Sequence, residues 1–217
     1  EWPRYAAVDL GGNQSETRSK AAVLFVAVNT EMTEAYVYKM WRGDNEKTTA
    51  GDVLDKYHEM RGDEYITAKA YDYASSDFLE MATRRGDAFQ PAIKERTAGV
   101  RMLNELFHTK ALKIFATGDY TKLSGELLNV SPGSKKNKQV DDLSDALRYC
   151  IRLIPFNWEK IAGSTHGEKW RAAVEAKKAV PIDERREAYQ IMKQGYNPSY
   201  QAELESELEA WNEAYGN

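Results

Sequence analysis

Cysteine occurs once in the 217 residues, at Cys150, and histidine three times, at His58, His108 and His166. A single thiol excludes an internal disulfide and a cysteine-based zinc site, and fits a reducing compartment. Three histidines so far apart argue against a His-rich metal centre. Long apolar runs are also missing, since the longest, Ala21–Val28, is too short to cross a bilayer. No G-x-x-x-x-G-K-[ST] segment is present to cradle a nucleotide phosphate. No signal-peptide pattern opens the chain, which starts at Glu1 rather than Met, and an excised domain is the expectation.

What is present fits one ordinary domain with an appendage: 42% hydrophobic residues, 29% charged residues and a net charge of −4. The charge is uneven. Residues 84–138 hold 11 Lys/Arg against 5 Asp/Glu, whereas no Lys or Arg follows Lys193. Glu203, Glu205, Glu207, Glu209 and Glu213 lie in that acidic end. A basic middle can meet phosphates and an acidic tail repels them, although solvated helix faces carry the same pattern.

Tyr5–Leu10, Ala21–Val28 and Ala35–Trp41 read as three strands joined by short links, an antiparallel meander. Thr49–Arg61 has helical spacing and Gly62 is placed to stop it. Ile66–Tyr71 is a fourth strand, and a helix capped by Ser75 or Ser76 runs through Arg85 to Gly86. Phe89–Ile93 is a strand, Val100, Leu103 and Phe107 stripe a helix, and Lys113–Ala116 is a last short strand. A helix around Thr121–Leu128 leads into Ser131–Gln139, a Gly/Ser/Lys loop. Asp142–Ile154 carries Leu143, Ala146, Leu147, Cys150, Ile151 and Ile154 on one stripe, and Pro155 ends it. Helical segments follow at 166–180, 183–194 and 199–215. This order predicts an α/β domain of RNase H type over 1–155, a mixed central sheet flanked by helices, with a helical, acidic C-terminal extension over 156–217.

Acidic residues stand where chemistry is possible. Asp9 ends a hydrophobic strand, Asp72 ends the fourth strand, and Asp142 and Asp145 lie one turn apart on the polar side of the last helix. Carboxylates at the edge of a core are costly unless compensated, and a divalent cation compensates them. Oxygen-only ligands from separate elements suit Mg²⁺ or Mn²⁺, and two such ions can hydrolyse a phosphodiester. Each residue also has a plainer use: Asp9 in a Gly11-Gly12 turn, Asp72 as a loop cap, Asp141 or Asp142 as an N-cap.

Taken together, the stretch Tyr5–Ile154 resembles the nuclease domain of tailed-phage large terminases, the motors that package viral DNA. The segments that carry the likeness are "YAAVDLGG", "AKAYDYASSD", "YTKLSGELLNV" and "DDLSDALRYC". In the last, the family reads Asp-His-x-x-Asp-Ala-x-Arg-Tyr. The resemblance implies an RNase H-like fold and a metal-dependent endonuclease that cuts concatemeric double-stranded DNA during packaging. It makes Asp9, Asp72 and Asp145 the catalytic metal ligands for two Mg²⁺ or Mn²⁺ ions. Asp142 replaces the family histidine, as a metal ligand, a supporting group or a cap; Asp77 reads as helix N-terminal charge. The implied partners are DNA, the ATPase domain of the full-length protein, the portal or procapsid and the small terminase subunit, with no membrane. The implied place is the host cytoplasm.

Other readings remain open: a junction resolvase or transposase core, a docking module without chemistry, or an actin-like sugar kinase fragment suggested by "VDLGG". Clustered carboxylates give an electrostatic DNA-docking module nothing, and the chain is short for a kinase. Arg84, Arg85, Lys94, Arg96 and Arg101, with Lys135, Lys136 and Lys138 in the loop, are candidate phosphate contacts that would position DNA without reading its sequence. Arg148 reads as a surface or carboxylate partner, and Tyr149 as a wall beside the site. Trp158, Trp170 and Trp211 lie among charges, where they can pack back on the domain or onto a partner.

Overall fold

Strand β2 (Ala22–Val28) is apolar at every position because both of its faces are covered. Leu24, Val26 and Val28 enter one core, and Val23 and Phe25 enter a second on the opposite face. The computed structural model describes residues 1–11, 20–43, 48–72, 76–129 and 140–164, with 168, 169, 171, 172 and 175 beyond them. Around β2 lie β1 (Arg4–Asp9), β3 (Ala35–Arg42), β4 (Ala68–Tyr71), β5 (Gln90–Pro91) and β6 (Leu112–Ile114). The sheet order is β5-β4-β1-β2-β3-β6. β1, β2 and β3 form the antiparallel meander, while β4 pairs parallel with β1 and β5, and β6 pairs parallel with β3.

The helices form two layers. α1 (Ala50–Arg61) and α2 (Ser76–Arg84) close one face through Val53, Leu54, Tyr57, Phe78 and Ala82. α3 (Arg96–His108), α4 (Tyr120–Asn129) and α5 (Asp142–Ile151) close the other, through Leu103, Leu106, Leu123, Leu143 and Leu147. After α5, Phe156 and Ile161 of α6 (Trp158–Ala162) pack into that same core. α1 begins with a capping box, Thr49 Oγ1 accepting from Asp52 N–H and Thr49 N–H donating to the Asp52 carboxylate.

Three expectations shift. β5 is only two residues long, as suits an edge strand holding Pro91, which has no N–H to donate. β6 starts one residue earlier than its pattern implied and stops at Ile114. α5 stops at Ile151 instead of Ile154, because Pro155 disfavours helical geometry in the residues just before it. A larger correction concerns α5 itself. Its polar side does not face solvent: every residue from Asp142 to Ile151 is buried. α5 lies across β1 and β2 with α3 and α4 against its flanks, so its acidic face looks into the protein. The expected helices at 183–194 and 199–215, together with Ser75, Trp170 and Trp211, lie outside the described residues; Glu168, Lys169, Arg171, Ala172 and Glu175 are helical.

Candidate active site

Alternation along the strands aims the first two carboxylates. Tyr5 and Ala7 of β1 face the α5 side and Ala6 and Val8 the other, so Asp9 turns toward α5. On β4, Ala70 faces α5 and Tyr71 faces away, which turns Asp72 toward α5 as well. Val8 and Tyr71 are register partners in parallel strands, and Asp72 N–H donates to Val8 O at 2.9 Å. Asp9 and Asp72 therefore leave the sheet side by side. The first turn of α5 lies near that end of the sheet, where Asp142 accepts from Lys20 N–H just before β2 and Asp9 feels the charges of Asp142 and Asp145. Asp9 is buried and feels the charges of Asp145, Asp72 and Asp142. The structure thus brings all four sequence candidates together.

Each carboxylate already has a protein partner. Gly11 N–H donates to Asp9 Oδ1 at 3.0 Å, a tight turn made possible by Gly11 at φ +66°. Burial pushes the Asp9 carboxyl well above the usual carboxylate range; the Gly11 hydrogen bond opposes this, and repulsion from Asp145, Asp72 and Asp142 adds to it. Lys94 forms an ion pair with Asp72 Oδ1. Arg148 donates from Nη2 to Asp145 Oδ1 at 2.8 Å and from Nη1 to the Lys94 carbonyl at 3.2 Å. Lys20 N–H donates to Asp142 Oδ1 at 3.0 Å. Asp141, the residue before α5, makes no side-chain cap and instead accepts from Arg96 Nη1 at 3.2 Å. Tyr149 is the expected wall: it is buried, and its hydroxyl is pushed up by burial and by the charges of Asp9 and Asp145. Arg148 is a carboxylate partner and not a surface residue.

Glu126 was not singled out from the sequence. It comes from α4, accepts Ser144 N–H at 2.8 Å and Arg42 Nη1 at 2.7 Å, and so caps the first turn of α5 in place of Asp141. Burial pushes its carboxyl up to about 7, against the Ser144 and Arg42 hydrogen bonds. A signal existed: Leu123 and Leu127 mark the inward stripe of α4, and Glu126 falls on it.

The chemistry of the cluster fits a hard divalent ion. With all groups ionised, Asp9, Asp72, Asp142 and Asp145 exceed Lys94 and Arg148 by two charges, and every available donor is oxygen. Among the described residues, no group of three or more His, Cys, Asp or Glu side chains has the geometry of a finished metal site. Ammonium and guanidinium groups hold Asp72 and Asp145 instead.

The basic candidates separate. Arg84 ends α2 and Arg85 follows it, on the layer opposite α5, and they pair with Glu80 and Asp55. Arg101 is exposed on α3. Lys135, Lys136 and Lys138 lie outside the described residues.

No protein-family model and no curated protein matches the chain. Solved structures do. The large terminase of a thermophilic bacteriophage aligns with a TM-score of 0.58 at 16% identity, over 71% of this chain and 40% of that one. The P22 large terminase nuclease domain aligns at 0.52 with 16% identity, over 74% of this chain and 86% of that domain. The nuclease domain of the bacteriophage SPP1 large terminase, solved with bound Mn, aligns at 0.53 with 15% identity, over 70% and 86%. The chain spans about 40% of the length of the thermophilic phage protein. The fold is the RNase H-like fold of these nuclease domains: a mixed six-stranded sheet between helices.

Proposed function

We propose that the chain is the nuclease part of a DNA-packaging terminase, a Mg²⁺- or Mn²⁺-dependent endonuclease acting on double-stranded DNA. One observation carries the reading: Asp9 and Asp72 end adjacent parallel strands on the side from which α5 presents Asp145, on the fold of terminase nuclease domains. A bound Mn in the SPP1 neighbour supports the choice of ion.

Asp9, Asp72 and Asp145 are the metal ligands, with Asp142 a further oxygen beside them. Bound there, a pair of divalent ions supplies a water activated for attack and stabilises the leaving oxygen. Arg148 orients Asp145, Glu126 and Arg42 fix the first turn of α5, and buried Tyr149 limits water on the inner side. Arg101, with Lys135, Lys136 and Lys138, draws in DNA through its phosphates without reading sequence, while Arg84 and Arg85, on the opposite layer and paired with Glu80 and Asp55, stand apart from this path. Residues 1–155 carry the nuclease elements, and 156–217 are an extension whose start, with Phe156 and Ile161, packs into the same core. The ATPase part of a longer protein, the small terminase subunit and the portal or procapsid are the partners, in the host cytoplasm. No described helix is long and apolar enough to cross a membrane.

The test is conversion of supercoiled plasmid to open and linear forms. Mn²⁺ should support it at least as well as Mg²⁺, because Mn²⁺ accepts less regular geometry. EDTA should abolish it, and cleavage that persists in chelator overturns the metal assignment.

A further inference from the structure

Two cations hold the carboxylates, and they are held very differently. The Arg148 side chain is 4% exposed and bound at both ends of its guanidinium, to Asp145 and to the Lys94 carbonyl. The Lys94 side chain is 35% exposed, and its ammonium lies on Asp72 Oδ1. Arg148 therefore fixes the backbone that presents Lys94 while leaving its side chain able to move. A divalent ion bound to Asp72 shares that carboxylate with the ammonium, and its charge repels the ammonium. Lysine is a compact charge on a flexible stem, so it can swing outward while its backbone stays in place.

We propose that Lys94 works in two positions: as the counter-cation of Asp72 before metal binds, and as a contact to the substrate phosphate once metal has taken Asp72. This rests on the metal-centre reading above. Lys94 competes with the first ion and then supplies, at the mouth of the site, a positive charge that arrives only when the site is loaded. Arg148 is the positioning residue for this movement, since the same guanidinium that anchors the Lys94 carbonyl also holds Asp145.

The experiment uses the full chain and Lys94→Gln, with Lys94→Arg as the charge-keeping control. Mn²⁺ titrated calorimetrically without DNA should bind Lys94→Gln more tightly, roughly three- to tenfold, because a like charge has been removed from beside the ion. Lys94→Arg should stay close to wild type. Duplex DNA binding measured in Ca²⁺ should weaken for Lys94→Gln, with the salt slope smaller by about one unit, and Lys94→Arg should restore the slope. Partial exposure of the side chain means that both variants should fold, which thermal melts check. Equal or weaker Mn²⁺ binding by Lys94→Gln overturns the competition, and an unchanged salt slope overturns the phosphate contact. Failure of wild type to bind Mn²⁺ overturns the metal reading itself.

Discussion

Gly99 of α3 and the stem of Arg148 of α5 occupy one notch: a Cβ at residue 99 would lie 2.5 Å from Arg148 Cγ and 2.6 Å from Cδ. The missing side chain is what lets Arg148 pass between the helices and reach both Asp145 and the Lys94 carbonyl. A helix interior position that normally disfavours glycine is here set by the route of an arginine.

Gly99→Ala should therefore reverse the usual sign. In an ordinary helix interior the change stabilises by about 1 kcal/mol. Here the clash is with the inner stem of a buried arginine, not its movable end, and overpacking typically costs about 1–3 kcal/mol. Urea unfolding should show a net loss, and Mn²⁺ affinity should change with it as Arg148 shifts. A more stable Gly99→Ala would mean that the notch is loose.

Asp9→Asn, Asp72→Asn and Asp145→Asn should all remove metal-dependent cleavage, yet the first and the last should differ in stability. Asp9→Asn relieves a buried charge whose folded pKa is raised. That raised value means the protonated form is favoured, so wild type loses this contribution as pH rises above the ordinary carboxylate range near ~4. Metal-free Asp9→Asn should melt above wild type at pH 8, and the gap should close toward pH 4. Asp145→Asn should do the opposite, because it leaves Arg148 buried without its counter-charge, a change that costs about 3 kcal/mol when such a pair is broken. Equal melting shifts for the two variants would contradict this division.

That division was not legible in the sequence. The three-strand meander, the helices and strands alternating after it and the positions of the aspartates at strand ends and on the last helix were, from unbroken apolar runs, helical spacing and the "DDLSDALRYC" stripe, while it was the resemblance that made Asp9, Asp72 and Asp145 one site. From the sequence alone Asp9, Asp72 and Asp145 are equivalent ligands, so nothing in it separates their amide variants. The burial of the polar side of α5 was hidden, since a stripe shows which face must be covered and not whether the other is covered too. Lys94 was read as a phosphate contact, and its ion pair with Asp72 depends on a fold contact between separate segments. Glu126 and Arg42 meet across 84 positions of sequence, a spacing no local pattern encodes.

Replacing Lys135, Lys136 and Lys138 by Ala should leave thermal stability nearly unchanged, since Ser131–Gln139 holds no large apolar side chain for them to pack on and such changes usually stay within about ±0.5 kcal/mol each. DNA affinity should fall equally for unrelated duplexes, with the salt slope reduced by up to ~3 units, about one per lost phosphate contact. Mn²⁺ affinity should not change. A salt slope equal to that of wild type would place the DNA path elsewhere.

Glu126 gives the domain a pH dependence that a single variant isolates. Its carboxyl is raised from 4.5 to about 7 by burial, only partly offset by Ser144 N–H and Arg42. A group raised on folding stabilises fully below its unfolded value, and that contribution is lost as pH climbs through the folded one. Wild type should thus lose stability relative to Glu126→Gln between pH 4.5 and about 7. The loss can reach about 3 kcal/mol, and less if the α4–α5 contact relaxes when Glu126 ionises. Above pH 8 the difference should be flat, and below pH 4 it should reflect only the exchange of a protonated acid for an amide of similar shape. Titrations remote from Glu126 cancel in the comparison, whereas Asp142, whose charge also raises Glu126, is coupled to it. Denaturant unfolding of both at half-unit pH steps, without metal, gives the curve. Parallel profiles would show that Glu126 keeps an ordinary carboxylate pKa, and that its bonds to Ser144 and Arg42 fully offset its burial.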